Sequence, residues 1–163
     1  MKKRGDFNLS FSMIFSIIVI IAIVAVAFYV IKSFVSVSEC TQIGLFYEDI
    51  QEHISKAWQS PISKDTFIGK IPSGINLVCF GNLNQSSSKE YREEHNSILK
   101  ANINMKNRNL FLYPANKACD STLSSIKLDH VKTDEFFCIP AKDSKIELIT
   151  EKDQFDSLVT LRK

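Results

Sequence analysis

The hydrophobic pattern of this chain changes character twice. Residues 7–31 hold twenty-five positions without a single Asp, Glu, Lys or Arg, and from Met13 onward no polar face interrupts the run. As a helix rising ~1.5 Å per residue the run measures about 37 Å, enough to cross a ~30 Å hydrocarbon layer with some tilt. A second pattern follows. Ile43, Tyr47, Ile50, Ile54 and Ala57 recur at alternating steps of four and three, with Phe46 and Trp58 beside them and Glu48, Asp49, Glu52 and Lys56 between. That spacing predicts an amphipathic helix with one buried stripe, and Tyr47 and Trp58 are read as core contacts. Two arrangements satisfy both patterns. One is a single helix over about residues 9–59; the other is two helices with a break near residues 36–41, where Ser36, Ser38 and Thr41 lie.

After Pro61 the period shortens. Runs at 66–71 and 75–80 flank Pro72-Ser73-Gly74, a turn between two strands. Residues 81–88 are polar and read as a surface loop. Ser87 with Glu90 three positions on is a capping-box signal for a short helix over 89–101, whose apolar face is thin: Tyr91, Ile98 and Leu99. Further strands are expected at 109–113, 125–131 (with His130 interrupting the apolar face) and 136–139. The runs 145–150 and 155–161, around Glu151-Lys152-Asp153-Gln154, read as a hairpin. The fold class expected is α+β: a long N-terminal transmembrane and amphipathic helix, then a small antiparallel β-sheet domain of five to seven strands packed on the amphipathic part. The boundaries are a basic N-terminus at 1–6, a transmembrane helix at 7–35, an amphipathic helix at 36–60 and a β-rich domain at 61–163.

Charge assigns a direction to this arrangement. The net charge of +2 divides unevenly: Lys2, Lys3, Arg4 and Lys32 lie beside the apolar run with only Asp6 against them. The remaining sixteen Lys and Arg face seventeen Asp and Glu, so the domain is nearly neutral. Positive charge is retained on the cytoplasmic side, which predicts a cytoplasmic N-terminus and an extracytoplasmic domain at the cell membrane. A cleaved signal peptide fits less well, because the run exceeds a ~7–15-residue signal core and lacks a small-x-small cleavage site at its end. A nucleic-acid partner would require a basic cluster in the domain, and none is present.

Candidate chemistry is sparse. His53, His95 and His130 stand in separate segments without a Cys or carboxylate at ligand spacing, and His53 is placed on the solvated side of the amphipathic helix. There is no Gly-x-Ser-x-Gly elbow, phosphate-binding glycine loop, dinucleotide fingerprint or His-Glu-x-x-His. The pairs Glu93-Glu94 and Asp134-Glu135 read as solvated charge. The expectation is that the protein is not an enzyme and takes neither cofactor nor metal. Cys40, Cys79, Cys119 and Cys138 include no Cys-x-x-Cys, which argues against zinc. In an oxidising compartment the four cysteines are disulfide candidates with three full connectivities, or else small apolar core residues. Cys79 and Cys138 both lie in strand-like runs and are the pair favoured. Asn84-Gln85-Ser86 is a glycosylation sequon in a polar loop, whereas Asn8-Leu9-Ser10 enters the apolar run and is expected to be inert.

The Lys2-Lys3-Arg4-Gly5 start ahead of a long apolar helix resembles the class III signal peptide of archaeal type IV pilin-like proteins. In that family a prepilin peptidase cuts after the glycine and the helix stays on the mature protein, as an anchor or in a filament core. The resemblance implies processing between Gly5 and Asp6, with Asp6 as the new N-terminus; Ser10 stands where these pilins usually carry Glu. It also implies a β-rich head on the far half of the helix, and makes a Cys119–Cys138 loop a counterpart of the C-terminal disulfide loop of some pilins. The function expected is that of a single-pass membrane-anchored structural protein, a pilin-like subunit or minor pilin of a surface filament. Its partners would be membrane lipid and further copies, associating through the apolar helix, where Ser12 and Ser16 form a small-xxx-small step. The alternative is a plain bitopic membrane protein whose outer domain binds a protein partner in an envelope or secretion complex.

Overall fold

The computed structural model describes residues 11–87, 89–102, 107–119 and 121–163. Gly5, Asp6 and Asn8 lie outside the described residues. The chain divides into two compact units between Val37 and Ser38. Helix α1 is assigned continuously over Phe11–Gln59, so residues 36–41 are helical and no break occurs there.

In the first unit every described side chain from residue 12 to residue 35 is exposed, including Ile20, Ile23, Phe28 and Phe34. By length and composition, α1 can cross a membrane. Within this run the Ser16 hydroxyl donates to the Ser12 carbonyl at 2.9 Å, so it is satisfied within the helix.

The second unit is built on the amphipathic part of α1. Ile43, Phe46, Tyr47, Ile50, Ile54 and Ala57 are all buried, as the three-four spacing requires, and form one wall of the main core. Against them stand the strands β1 (Ser63–Lys70), β2 (Leu77–Phe80), β3 (Leu110–Tyr113), β4 (Ser125–Ile126), β5 (Val131–Lys132), β6 (Phe137–Pro140), β7 (Lys145–Lys152) and β8 (Val159–Arg162), with helix α2 over Arg92–Ala101. The class is α+β.

The strands form two four-stranded sheets rather than one sheet of five to seven. Their orders are β1-β7-β8-β5 and β4-β3-β2-β6. Pairing is antiparallel except at β5–β8, which is parallel. The runs on either side of Pro72-Ser73-Gly74 do not pair with each other: β1 joins β7, whereas β2 lies between β3 and β6. The turn therefore passes the chain from one sheet to the other.

In the first sheet β7 alternates, with Ile146, Leu148 and Thr150 buried and Lys145 and Glu147 exposed, so one face meets the core. In the second sheet both faces are covered. Val78, Phe80, Leu110 and Leu112 enter the main core, while Cys79, Phe111 and Cys138 face a smaller one with Tyr91, Ile98 and Phe136. That is why β2 and β3 read as unbroken apolar runs. Helix α2 supplies Ile98 to the smaller core, and Leu99 is partly exposed beside it.

Three local expectations are corrected. Ser87 does not cap α2. Its backbone bridges to Phe136, residues 89–91 form a 3-10 turn, and Tyr91 stands at the N-cap without a side-chain cap bond. Residues 125–131 are not one strand, because the Asn109 carboxamide takes both backbone groups of Leu128 and His130 turns to φ +63°. The final strand begins at Val159, which leaves Phe155 in the turn after β7, 95% exposed.

Candidate functional site

The cysteines are the sequence-designated residues that the fold brings together. Cys79 and Cys138 are directly opposite across β2 and β6, their Cα atoms 4.0 Å apart, and are joined by a disulfide buried in the smaller core. Cys40 of α1 is bonded to Cys119, with Cα atoms 5.3 Å apart. All four cysteines are thus paired, and the Cys119–Cys138 loop is not formed. Cys119 adopts φ +63° just after the 3-10 turn at Ala115–Lys117, which presents its side chain to the amphipathic helix. Nothing in the local sequence around Lys117-Ala118-Cys119 announces that partner.

The three histidines remain apart, each with a partner of its own. His53 is half-buried rather than solvated. Its Nε2 lies 3.0 Å from Thr150 Oγ1, its ring packs on Phe67, and the Thr150 hydroxyl donates onward to the Asp65 carbonyl at 3.2 Å. His95 Nε2 is 3.1 Å from the Leu83 carbonyl, and its ring tilts against Phe136. His130 stacks on Trp58 with ring centroids 3.8 Å apart, while Trp58 Nε1 donates to the Ser157 carbonyl. Trp58 is thereby half-exposed at the end of α1, not a core residue in the sense expected. Among the described residues no group of three or more His, Cys, Asp or Glu is placed to hold a metal ion.

Polar groups that the sequence did not single out hold the loops. The Asn102 carboxamide accepts from the Ser125 hydroxyl at 2.8 Å and donates to the Ile98 carbonyl at 2.9 Å, closing the C-terminus of α2 inside the domain. Lys152 Nζ donates to the carbonyls of Trp58 and Ser60, which satisfies the last turn of α1. The signal for such roles is only a polar residue beside an apolar run, which is too common to point anywhere.

Electrostatics follow surface pairing. Glu52, Asp129, Glu151 and Asp156 are held below the usual carboxylate range, each first by a hydrogen bond from a lysine: Lys56, Lys127, Lys64 and Lys132 respectively. Burial pushes the Tyr47 phenol far up, and its hydroxyl donates to the Leu123 carbonyl. Each of these groups has a structural reason for its state.

The concave features of the second unit are open. A cleft of about 530 Å³ is lined by Leu45, Phe46, Asp49, Lys70 and Lys145 among others, and a neighbouring one of about 450 Å³ by Ile139, Pro140, Lys142 and Lys163. Lys70 and Lys145 are register partners across β1 and β7, so two like charges sit side by side at the rim of the first cleft. Asn84 lies in an exposed turn, away from both clefts' lining residues. No family model matches the chain, and neither a curated protein nor a solved structure matches it.

Proposed function

We propose that the protein is a single-pass membrane-anchored structural protein of the cell surface, a pilin-like subunit or minor pilin rather than an enzyme. The observation that carries this reading is the exposed apolar run over residues 12–35 of α1, followed in the chain by a unit whose four cysteines are paired. The disulfides favour an oxidising compartment for the second unit, and the basic residues Lys2, Lys3 and Arg4 favour a cytoplasmic N-terminus. In this reading the N-terminus is processed between Gly5 and Asp6, and the retained apolar helix contacts membrane lipid and further copies of the chain.

The intact mass of the protein extracted from membranes tests it. Loss of residues 1–5 is the expected result. A chain that retains Lys2 through Gly5 and forms no filaments when abundant would instead be a bitopic protein whose outer domain binds a partner. A mature chain starting near residues 36–40 would make the apolar run a removed signal.

A further inference from the structure

We propose that Asn84 is a glycosylation site, carrying a sugar on its carboxamide nitrogen; this rests on the extracytoplasmic placement of the second unit. The chain has two Asn-x-Ser/Thr sequons, at Asn8 and Asn84, and only the second lies among the described residues.

The loop around Asn84 divides its polar side chains into two kinds. Gln85 N–H donates to the Asn82 carbonyl at 2.9 Å, closing a turn in which Asn84 holds the third position. Asn82 Oδ1 accepts from the Asn84 N–H at 3.0 Å. Gln85 Oε1 accepts from the Asn82 N–H at 2.7 Å and from the Thr133 hydroxyl at 3.1 Å, while its Nε2 donates to the Thr133 carbonyl at 2.8 Å. Asn82 and Gln85 are therefore committed to holding the loop on the domain. Asn84 and Ser86 are different. Both are exposed, and among the described residues neither the Asn84 carboxamide nor the Ser86 hydroxyl makes a hydrogen bond. Ser86 is anchored through its carbonyl, which accepts from the Phe136 N–H at 3.1 Å.

Among the described residues, both side chains that the modification requires are thus left unused by the fold. Contrast Asn102 and Asn109, whose carboxamides each make two hydrogen bonds inside the domain. A sugar on either would break structure; one on Asn84 projects into solvent. The reaction is a transfer from a lipid-linked sugar phosphate donor. A bond forms between Asn84 Nδ2 and the sugar's anomeric carbon, and the bond from that carbon to the phosphate oxygen breaks. The lipid-borne phosphate leaves with the electron pair, and the Nδ2 proton passes to a base of the transferase.

Peptide mass spectrometry of the protein from its own cells' membranes tests the site. The peptide containing Asn84 is expected to carry a sugar mass that is lost in Asn84→Gln and in Ser86→Ala and kept in Ser86→Thr. The disulfide-linked Cys79–Cys138 peptide in each variant reports that the domain has folded, and protease treatment of intact cells reports which side it occupies. An unmodified Asn84 peptide in a disulfide-bonded domain that protease removes from intact cells overturns the site and leaves the placement standing. An unmodified peptide in a protected domain with free thiols overturns both.

Discussion

Gly69 of β1 lies directly beneath the ring of Phe46: a Cβ at Gly69 would stand 2.6 Å from Phe46 Cε2 and equally close to Phe67 Cε1. Both rings are buried, so relieving the contact requires them to shift from their packed positions. The amphipathic helix and β1 approach as closely as a missing side chain allows. Gly69→Ala is expected to displace both rings and to cost about 1–3 kcal/mol, the usual range for overpacking a filled core. Gly44, on the same helix, has nothing within 4 Å of its would-be Cβ. Gly44→Ala is expected to stabilise by about 0.5–1 kcal/mol through helix propensity alone. Thermal unfolding of the two variants in detergent should move in opposite directions.

The two disulfides differ in exposure, and reduction should follow that difference. Cys79 and Cys138 are fully buried, whereas Cys119 is exposed. Limited treatment with a thiol reductant, followed by alkylation and peptide mapping, should label Cys40 and Cys119 first. Replacing Cys79 and Cys138 together with Ala opens a loop of sequence separation 59. A loss of about 2–4 kcal/mol in the unfolding free energy from urea titration is expected, because the unfolded chain regains the freedom that the cross-link removed.

Asn109 holds Leu128 by donating to its carbonyl at 2.9 Å and accepting from its N–H at 2.6 Å. Leu128 is buried, so removing the carboxamide leaves two backbone groups without a partner. Asn109→Ala should cost about 1–3 kcal/mol by chemical denaturation, the penalty of an unsatisfied buried group. Amide exchange at Leu128 should rise more than exchange at Leu148, in the middle of β7, if the loss is local.

Acid should weaken the second unit. Glu151 and Asp156 titrate below their ordinary range in the folded chain because lysines hydrogen-bond their charged forms. A carboxylate whose folded pKa is depressed stabilises above its unfolded value, near pH 4, and that stability is lost as pH falls through the folded value. Urea midpoints should therefore be flat down to about pH 5 and then decline. The slope should shrink in Lys64→Met and Lys132→Met, which remove the donors. These pairs are partly open to solvent, so the change should be modest and should fade in high salt.

Much of this architecture is legible in order along the chain. The uncharged run ahead of Lys32 specifies a helix with no polar face, and the spacing Ile43, Tyr47, Ile50, Ile54, Ala57 names the helix face that the core covers. The alternation Ile146, Leu148, Thr150 likewise names the buried face of β7. These readings succeed because periodicity is a local property: which side of an element is apolar is written within the element.

Partnership is not written there. That β1 should cross to β7 and not pair with β2, and that β5 should lie parallel to β8, depends on how two sheets and a helix share one core. The same holds for Cys40, which reaches Cys119 over a sequence separation of 79, and for His53, which the helical wheel places in water and Thr150 draws half inside. At Leu128 and His130 a single distant carboxamide, Asn109, outcompetes the strand ladder for the backbone. By itself the sequence determined the elements and their apolar faces. Only the tertiary structure decided their neighbours, because side-chain volume and backbone hydrogen bonds must be satisfied jointly by residues far apart in the chain.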